Sequence, residues 1–298
     1  MNDQDYKFIL DLYDTKNITK VAQQGYMSQP ALTKRIRRIE MELGCQLLLR
    51  SKKGVVFTDA GELVVNYCRQ ILGLKSALHN SINQLKGVVG GTLQIGSSLN
   101  YSRYRLSSAL HKYQTLYPMV DVQVITGRSI TLHRMLMEKK LSLAIIRGNY
   151  PWDEGSILLS SEPICLVRSY ENVDRPLSEY TYISHRTDLD EEKRIEQWMM
   201  DNSIVPSKHF QVDDLATCRE MAQAGVGWTI IPSICLDNFR GDVVPLRCAD
   251  HALFLRNTYV LYRYTHYELR QVKLFLEILA QNDATFPSHL DGAVKGHI

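Results

Sequence analysis

Apolar residues between positions 63 and 85 recur at spacings of four and three, and this pattern constrains the fold more than any other sequence feature. The positions are Leu63, Tyr67, Ile71, Leu74, Leu78, Ile82 and Leu85. The spacing predicts one long helix with a coiled-coil seam, capped by Thr58. Such a helix rarely finds enough of its own small domain to cover it, so we expect it to pair two copies of the chain. A helix packed within one chain is the alternative.

Positive charge is concentrated just before that helix. The chain of 298 residues has 35 basic and 32 acidic side chains, and seven basic but only two acidic ones lie in residues 28–53. Residues 58–298 carry 25 basic and 26 acidic side chains. A local basic patch beside a neutral remainder indicates nucleic-acid contact by one module, although a solvated helix face has the same composition.

The residues around this patch predict a helix-turn-helix. Apolar periodicity places helices over about residues 3–15, 17–24 and 28–42. Ser28 is a good N-cap for the third helix, and Pro30 falls in its first turn, where a missing N–H costs nothing. A small apolar core would hold this basic helix so that its N-terminal half enters the major groove.

A β-wing is predicted after the third helix. Two short extended runs, residues 45–50 and 55–57, flank a basic turn that contains Gly54. Lys52 and Lys53 in that turn are placed to reach phosphates or the minor groove.

The segment SQPALTKRIRRIE at 28–40, followed by ELG at 42–44 and TDAG at 58–61, closely resembles the DNA-binding region of LysR-type transcriptional regulators. The resemblance implies a winged helix-turn-helix domain over residues 1–58 and a linker helix with a hinge over 59–91. It also implies double-stranded DNA as partner and pairing into dimers and tetramers, with RNA polymerase as a further candidate partner. Gly25 replaces the leucine usual in the family, so we expect a poorly packed or frayed second helix.

The same resemblance places DNA contacts on the third helix and the wing. Gln29 and Thr33 are of types that read base edges, since Gln pairs bidentately with adenine and Thr suits polar edges or a thymine methyl. Cations there are expected to hold phosphates, which gives affinity and salt dependence. The expected set is Ser28, Gln29, Pro30, Thr33, Lys34, Arg37, Arg50, Lys52 and Lys53.

Residues 92–298 alternate between strand and helix patterns, which predicts an α/β domain with a mostly parallel sheet. One lobe is expected from residues 92–161 and 265–298, and a second from 162–264. The segment AGVGWTIIP at 224–232 resembles the effector domain of the same family, which is similar to periplasmic binding proteins with a ligand cleft between two lobes.

Ligands of open α/β sheets bind at the carboxyl ends of strands, where helix N-termini offer free N–H groups. Hydroxyls and an arginine in those loops favour a small anion such as a carboxylate, although each residue also suits an ordinary capping role. The candidates are Ser97, Ser98, Asn100, Tyr101, Ser129, Arg147, Ser184 and Thr229, with Tyr104 and Trp152 as apolar surface.

Six scattered cysteines, none in a C-x-x-C pair, are typical of small buried hydrophobes in an unsecreted chain. Cys248 and His251 are spaced like half a zinc site without a second half, so neither a metal nor a cofactor is predicted. A redox-sensing regulator that uses Cys218 or Cys235 is an alternative function.

Other classes of protein fit the sequence less well. It has no G-x-S-x-G, P-loop or H-E-x-x-H motif, which disfavours a two-lobed α/β enzyme. The N-terminus MNDQD lacks the basic start and apolar core of a secretory signal, and no apolar run is long enough to cross a bilayer. We therefore expect a cytoplasmic protein without membrane association rather than a secreted solute-binding protein.

Overall fold

A computed structural model describes residues 1–51, 54–85 and 88–282, and the chain divides into two compact units between Gly91 and Thr92. Four helices and a two-stranded sheet make up the first unit. They are α1 (Asp3–Thr15), α2 (Ile18–Gln24), α3 (Gln29–Leu43), β1 (Leu48–Ser51), β2 (Gly54–Phe57) and α4 (Asp59–Leu85). The predicted helix-turn-helix is confirmed.

Short polar side chains fix where the first three helices begin. Asn2 accepts hydrogen bonds from two main-chain N–H groups of α1, and Asn17 accepts one from Lys20 of α2. The Ser28 hydroxyl accepts from the N–H of Ala31 at 3.3 Å, as expected of an N-cap. These caps satisfy N–H groups that the helices cannot pair internally.

The second helix is well packed, contrary to the expectation drawn from Gly25. Val21 and Ala22 on its inner face are buried in the core of the first unit. A Cβ atom at Gly25 would lie 2.5 Å from Cε1 of Phe8, so the Phe8 ring occupies the space that a larger side chain would need. The substitution by glycine is therefore compensated by an aromatic residue from α1.

The wing is an antiparallel pair of strands that is hydrogen-bonded to the residue after α1 and to α3. Leu48 pairs with Phe57, and the N–H of Val55 donates to the carbonyl of Lys16 at 3.0 Å. A Glu40 carboxylate oxygen accepts from the N–H groups of Leu47 and Leu48. The wing is thus fixed to α1 and α3.

The long helix α4 uses one face within its own unit and leaves another uncovered. Thr58 caps it by accepting from the N–H of Gly61 at 3.0 Å, and Val65 and Cys68 pack into the first unit's core. The seam is exposed at Leu63, Tyr67, Leu74, Leu78 and Ile82, whereas Ile71 is partly buried. Packing within the described part of the first unit therefore leaves most of this seam uncovered.

The second unit is a mixed α/β structure. Its strands are β3 (Gly91–Ser98), β4 (Val120–Gly127), β5 (Leu143–Arg147), β6 (Gly155–Arg168), β7 (Tyr182–His185), β8 (His209–Val212), β9 (Trp228–Pro232), β10 (Asp242–Pro245) and β11 (Leu255–Tyr262). Its helices are α5 (Leu99–Tyr101), α6 (Ser107–Leu116), α7 (Ser129–Met137), α8 (Leu189–Asp201), α9 (Leu215–Gln223), α10 (Tyr264–Tyr267) and α11 (Arg270–Asn282).

The sheet order is β4-β3-β5-β11-β6-β9-β7-β8, with β10 also paired to β6. The expectation of a mostly parallel sheet is wrong at its centre, because β11 runs antiparallel to β5 and β6, and β6 runs antiparallel to β9 and β10. The long strand β6 serves both lobes: its first half pairs with β11 and its second half with β9 and β10.

A turn of π-helix at Ser102–Leu106 joins α5 to α6, and the sequence pattern did not predict it. Apolar clusters then fill each lobe, one around Leu132 and Ile146 and the other around Ile164 and Trp228. None of the helices in the described part of the chain combines the length and apolar character that crossing a bilayer requires.

Candidate DNA-contact surface and effector cleft

The N-terminal half of α3 presents a polar and basic surface. Ser28, Gln29, Pro30, Lys34 and Arg37 are all exposed. Pro30 lies in the first turn of the helix, as its sequence position predicts. The opposite face buries Leu32, Ile36 and Ile39 in the core of the first unit. The helix therefore shows solvent the residue types that read bases and hold phosphates.

Thr33 differs from the other expected base-reading residues. It is half-buried, and its hydroxyl oxygen is out of contact with solvent and has no hydrogen-bond partner among the described residues. Its hydroxyl is therefore not presented to a base edge in this conformation.

Two other cations of α3 pair with an acidic residue of α1: Arg35, which is largely buried, and Arg38, which is exposed. Arg35 Nε donates to Asp5 Oδ1 at 2.5 Å, and the Arg35 guanidinium also donates to Gln4 and Asn2. Arg38 lies 3.6 Å from Asp5 Oδ2. Asp5 is fully buried; burial raises its pKa, but hydrogen bonds from Arg35 and Asn2 outweigh this and place the pKa below 3.8.

The expected wing contacts are Arg50, Lys52 and Lys53. Lys52 and Lys53 lie outside the described residues, and only the main chain of Arg50 is described, in β1.

A cleft of about 860 Å³ opens between the two lobes of the second unit. We call the side formed by Ser98, Asn100, Arg103, Arg128, Ser129 and Arg147 the first wall. The second wall is formed by His185, Arg186, Asp188, Asp190, Glu191, Glu192, Asp213 and Asp214. Arg256, from β11, also lines the cleft.

Four of the expected effector residues line this cleft: Ser98, Asn100, Ser129 and Arg147. The other four do not. Ser97 and Tyr101 are buried, and the Ser97 hydroxyl donates to the carbonyl of Ser98. Thr229 is buried and donates to the carbonyl of Ile183 at 2.6 Å, and the Ser184 hydroxyl bonds His209 Nε2 at 2.7 Å. The hydroxyl groups of Ser97, Ser184 and Thr229 are therefore used within the protein.

Arg147 is held by an acidic partner that the sequence pattern did not indicate. Its guanidinium pairs with the buried carboxylate of Glu162, which also accepts from the N–H of Ile234 and the Ser233 hydroxyl. The Arg147 main-chain N–H donates to the Ser129 hydroxyl at 3.0 Å. Arg147 Nε, which is buried, has no partner among the described residues.

A second buried ion pair joins β11 to the start of α8. The guanidinium of Arg256 contacts Asp188 and lies 3.2 Å from Glu191. Asp188 is also the N-cap of α8, where it accepts from the N–H of Glu191. These residues were missed because β11 and the first turn of α8 are distant in sequence, and only the folded sheet brings them together.

Cations of the first lobe also reach across to the second. Arg103 Nη1 lies 3.5 Å from Asp214 Oδ1, and Arg128 donates to the carbonyl of Thr187 at 3.2 Å. Arg105 pairs with Asp237 at 2.7 Å. The π-helical turn carries both Arg103 and Arg105, and such turns often occur at functional sites.

His185 lines the second wall among these charged groups. Burial lowers its pKa below 6.5, and the positive charges of Arg256 and Arg147 act in the same direction. Glu191 and Asp188 oppose this shift without cancelling it. The imidazole is therefore neutral near pH 7.

The thiols lie in environments that disfavour thiolates. Burial raises the pKa of Cys165 and Cys235 to about 12 and that of Cys218 to about 11. Cys68, in the core of the first unit, is similarly raised to about 11. Because the thiolate is the reactive form, burial disfavours reaction of these four cysteines at neutral pH.

Comparisons with known proteins agree with both units. The model of the bacterial regulatory helix-turn-helix protein, lysR family, matches residues 4–62, and the LysR substrate binding domain matches residues 86–284. An uncharacterized HTH-type transcriptional regulator of Bacillus subtilis strain 168, YraN, is 30% identical over 94% of this chain and 97% of its own.

Two further comparisons extend this result. The DNA-binding transcriptional dual regulator OxyR of Escherichia coli K12 is 28% identical over 83% of this chain and 85% of its own. The crystal structure of full-length CbnR complexed with its target DNA has a TM-score of 0.61 at 16% identity, covering 95% of this chain and all of that one. The chain therefore belongs to the LysR family of bacterial helix-turn-helix transcriptional regulators.

Proposed function

We propose that this regulator binds a specific duplex in the cytoplasm as a dimer or tetramer. Exposed residues of α3 would enter the major groove, while the uncovered seam of α4 pairs two chains. A small molecule in the inter-lobe cleft would change the spacing of the paired heads and the bending of the DNA.

The observation that supports this proposal most is which polar residues of α3 are exposed and which are bound within the protein. Gln29, Lys34 and Arg37 are exposed and have no partner among the described residues, whereas Arg35 is bound to Asp5. The exposed set has both a base-reading amide and phosphate-binding cations, and the bound arginine fixes the helix that presents them.

Binding to the DNA upstream of the protein's own gene tests the proposal. We expect the full-length chain to prefer that duplex over one of random sequence in fluorescence anisotropy titrations. Arg37→Gln should weaken binding to both duplexes and reduce the salt slope by about one. Gln29→Ala should instead reduce the preference between duplexes, by about 1–3 kcal/mol.

Lys193→Gln is the matched control, because it removes an exposed positive charge from α8 of the second unit. It should leave the affinity and the salt slope unchanged. Equal binding of the wild-type protein to both duplexes would contradict the proposed function.

A further inference from the structure

We propose that the effector in the cleft is a zwitterion of the amino-acid class, with its carboxylate on the first wall and its protonated amine on the second. The inference rests on the proposed function only in taking the cleft as the effector site. The inference is argued from the charges of the two walls, from buried polar groups on the first wall and from the helix ends that face the cleft.

The first wall is suited to an anionic group. Arg103 and Arg128 line it, and none of the described residues that form it is a carboxylate. Helix α7 starts there with Arg128 as its N-cap residue, and the Arg128 side chain makes no capping hydrogen bond. The first turn of α7 also has no acidic residue, so its positive end can attract an anion.

Two buried polar groups on the first wall also require an acceptor. Ser98 is only 5% exposed, and its hydroxyl has no hydrogen-bond partner among the described residues. The same holds for Arg147 Nε, in a residue of 4% exposure. Buried donors are normally paired, and both residues line the cleft, so these two unpaired donors favour a ligand with acceptor oxygens there.

The second wall has the opposite character. The second wall has six carboxylates. Among the described residues, Arg186 of this wall and Arg256 of β11 are the guanidiniums that line the cleft outside the first wall. The six are Asp188, Asp190, Glu191, Glu192, Asp213 and Asp214. Within the described residues, neither Asp190 nor Glu192 takes part in an ion pair. This surplus of negative charge favours a cationic group.

The helix ends of the second wall do not offer a second anion site. Asp188 caps α8 and Asp214 caps α9, each by accepting from main-chain N–H groups of the first turn. The protein's own carboxylates thus occupy both positive helix ends. An effector with two anionic ends would place one of them against these carboxylates, and a diamine would place one ammonium against Arg103 and Arg128. Like charges across an interface are unfavourable in both cases.

Thermal unfolding of the full-length protein with matched small molecules tests the assignment. L-glutamate and glutarate differ by the amino group, and L-lysine and cadaverine differ by the carboxylate. The standard L-amino acids are screened with these two non-zwitterions. We expect at least one amino acid, at about 100 times its Kd, to raise the Tm by about 5 °C or more, with no rise from glutarate or cadaverine. A rise with glutarate or cadaverine, or none with any amino acid, overturns the proposal.

Variants of each wall test the orientation of the ligand. Asp190→Asn combined with Glu192→Gln should weaken binding of the active amino acid about tenfold in calorimetric titration, and so should Arg128→Gln. Glu196→Gln, which neutralises an exposed carboxylate of α8 away from the cleft lining, is the matched control and should bind as the wild type. Unchanged affinity in the variants of either wall overturns the orientation.

Wild-type DNA binding without any ligand separates the two proposals. If the protein prefers its own upstream duplex but binds no amino acid, the effector inference fails and the proposed function stands. If it binds an amino acid but shows no DNA preference, the proposed function fails and the chemistry of the cleft stands.

Discussion

Asp5 Oδ1 lies 2.5 Å from Arg35 Nε, and this contact ties α1 to α3, the helix proposed to contact DNA. Asp5 is fully buried, whereas Arg35 keeps about a fifth of its side chain, 18%, exposed. The Arg35 guanidinium also lies over the Phe8 ring, 5.1 Å from its centroid. The buried Asp5 carboxylate thus links Arg35 of α3 to α1, where the Phe8 ring packs against the same guanidinium.

Asp5→Asn should lower the free energy of unfolding by about 2 kcal/mol, because it leaves Arg35 without its buried charged partner. Urea unfolding of the full-length protein, followed by circular dichroism, measures this loss. The pKa of Asp5 is lower in the folded protein than 3.8, so its contribution is complete above that pH and is lost as the pH falls through the folded value.

Asp11→Asn is the control on the same helix. Burial and the neighbouring Asp14 raise the pKa of Asp11, so its charge is disfavoured in the fold. Neutralising it should leave stability unchanged or slightly increased. A loss equal to that of Asp5→Asn would contradict the role given to the Asp5–Arg35 pair.

Gly25→Ala should destabilise the first unit by about 1–3 kcal/mol, because its Cβ would lie 2.5 Å from the Phe8 ring. Gly73→Ala in α4 is the opposite case, since a Cβ atom there would meet no described atom within 4 Å outside the adjoining residues and backbone of α4. Alanine there should stabilise the helix by about 0.5–1 kcal/mol. Equal effects of the two substitutions on the urea midpoint would show that Phe8 does not fill the Gly25 site.

Local patterns predicted the elements of the first unit because caps and apolar periodicity are local properties. Ser28 and Thr58 mark helix starts in the sequence and in the structure. The packing at Gly25 was not predictable, because it depends on Phe8 from another helix.

The residues of the cleft were harder to predict from the sequence, because more of their contacts join distant parts of the chain. Ser98 and Ser129 were found from the rule that ligands bind at strand ends, and both line the cleft. The rule also selected Thr229, whose hydroxyl is used by the main chain of Ile183. Arg256 and Glu162 were missed because their ion-pair partners are separated from them by many residues and meet only through β5, β6 and β11.

His185 should make the second unit less stable as the medium is acidified. Its pKa is below 6.5 in the folded protein, so the unfolded chain binds the proton more tightly. The stabilising contribution is complete above pH 6.5 and is lost as the pH falls towards the folded value. His185→Asn should therefore reduce the fall in Tm between neutral and acidic pH.

His266→Asn provides the comparison, because burial also lowers the pKa of His266, which faces the Ser142 carbonyl in the first lobe. The two effects should add, since the two side chains face different groups. An unchanged pH dependence of the Tm in His185→Asn would contradict its neutral state in the fold.

The six cysteines should fall into two classes by their rate of reaction with a thiol reagent. Cys45 and Cys248 are partly exposed, whereas the remaining four are buried. A thiol reagent at neutral pH should modify the first two rapidly and the others only on unfolding. Peroxide should leave DNA affinity unchanged, and Cys218→Ala and Cys235→Ala should behave as the wild type. A peroxide-dependent affinity that either substitution abolishes would favour a redox sensor instead.

Sedimentation velocity of the full-length protein with a labelled upstream duplex tests the paired-head arrangement most directly. Leu74 is 71% exposed on the α4 seam, and Asn66 is exposed on the same helix outside that seam. We predict at least two chains per duplex for the wild type and for Asn66→Glu. Leu74→Glu should give monomers that bind at least 100-fold more weakly, because the two heads no longer act together. A wild-type protein that binds as one chain per duplex, with an affinity that Leu74→Glu does not change, would contradict the arrangement.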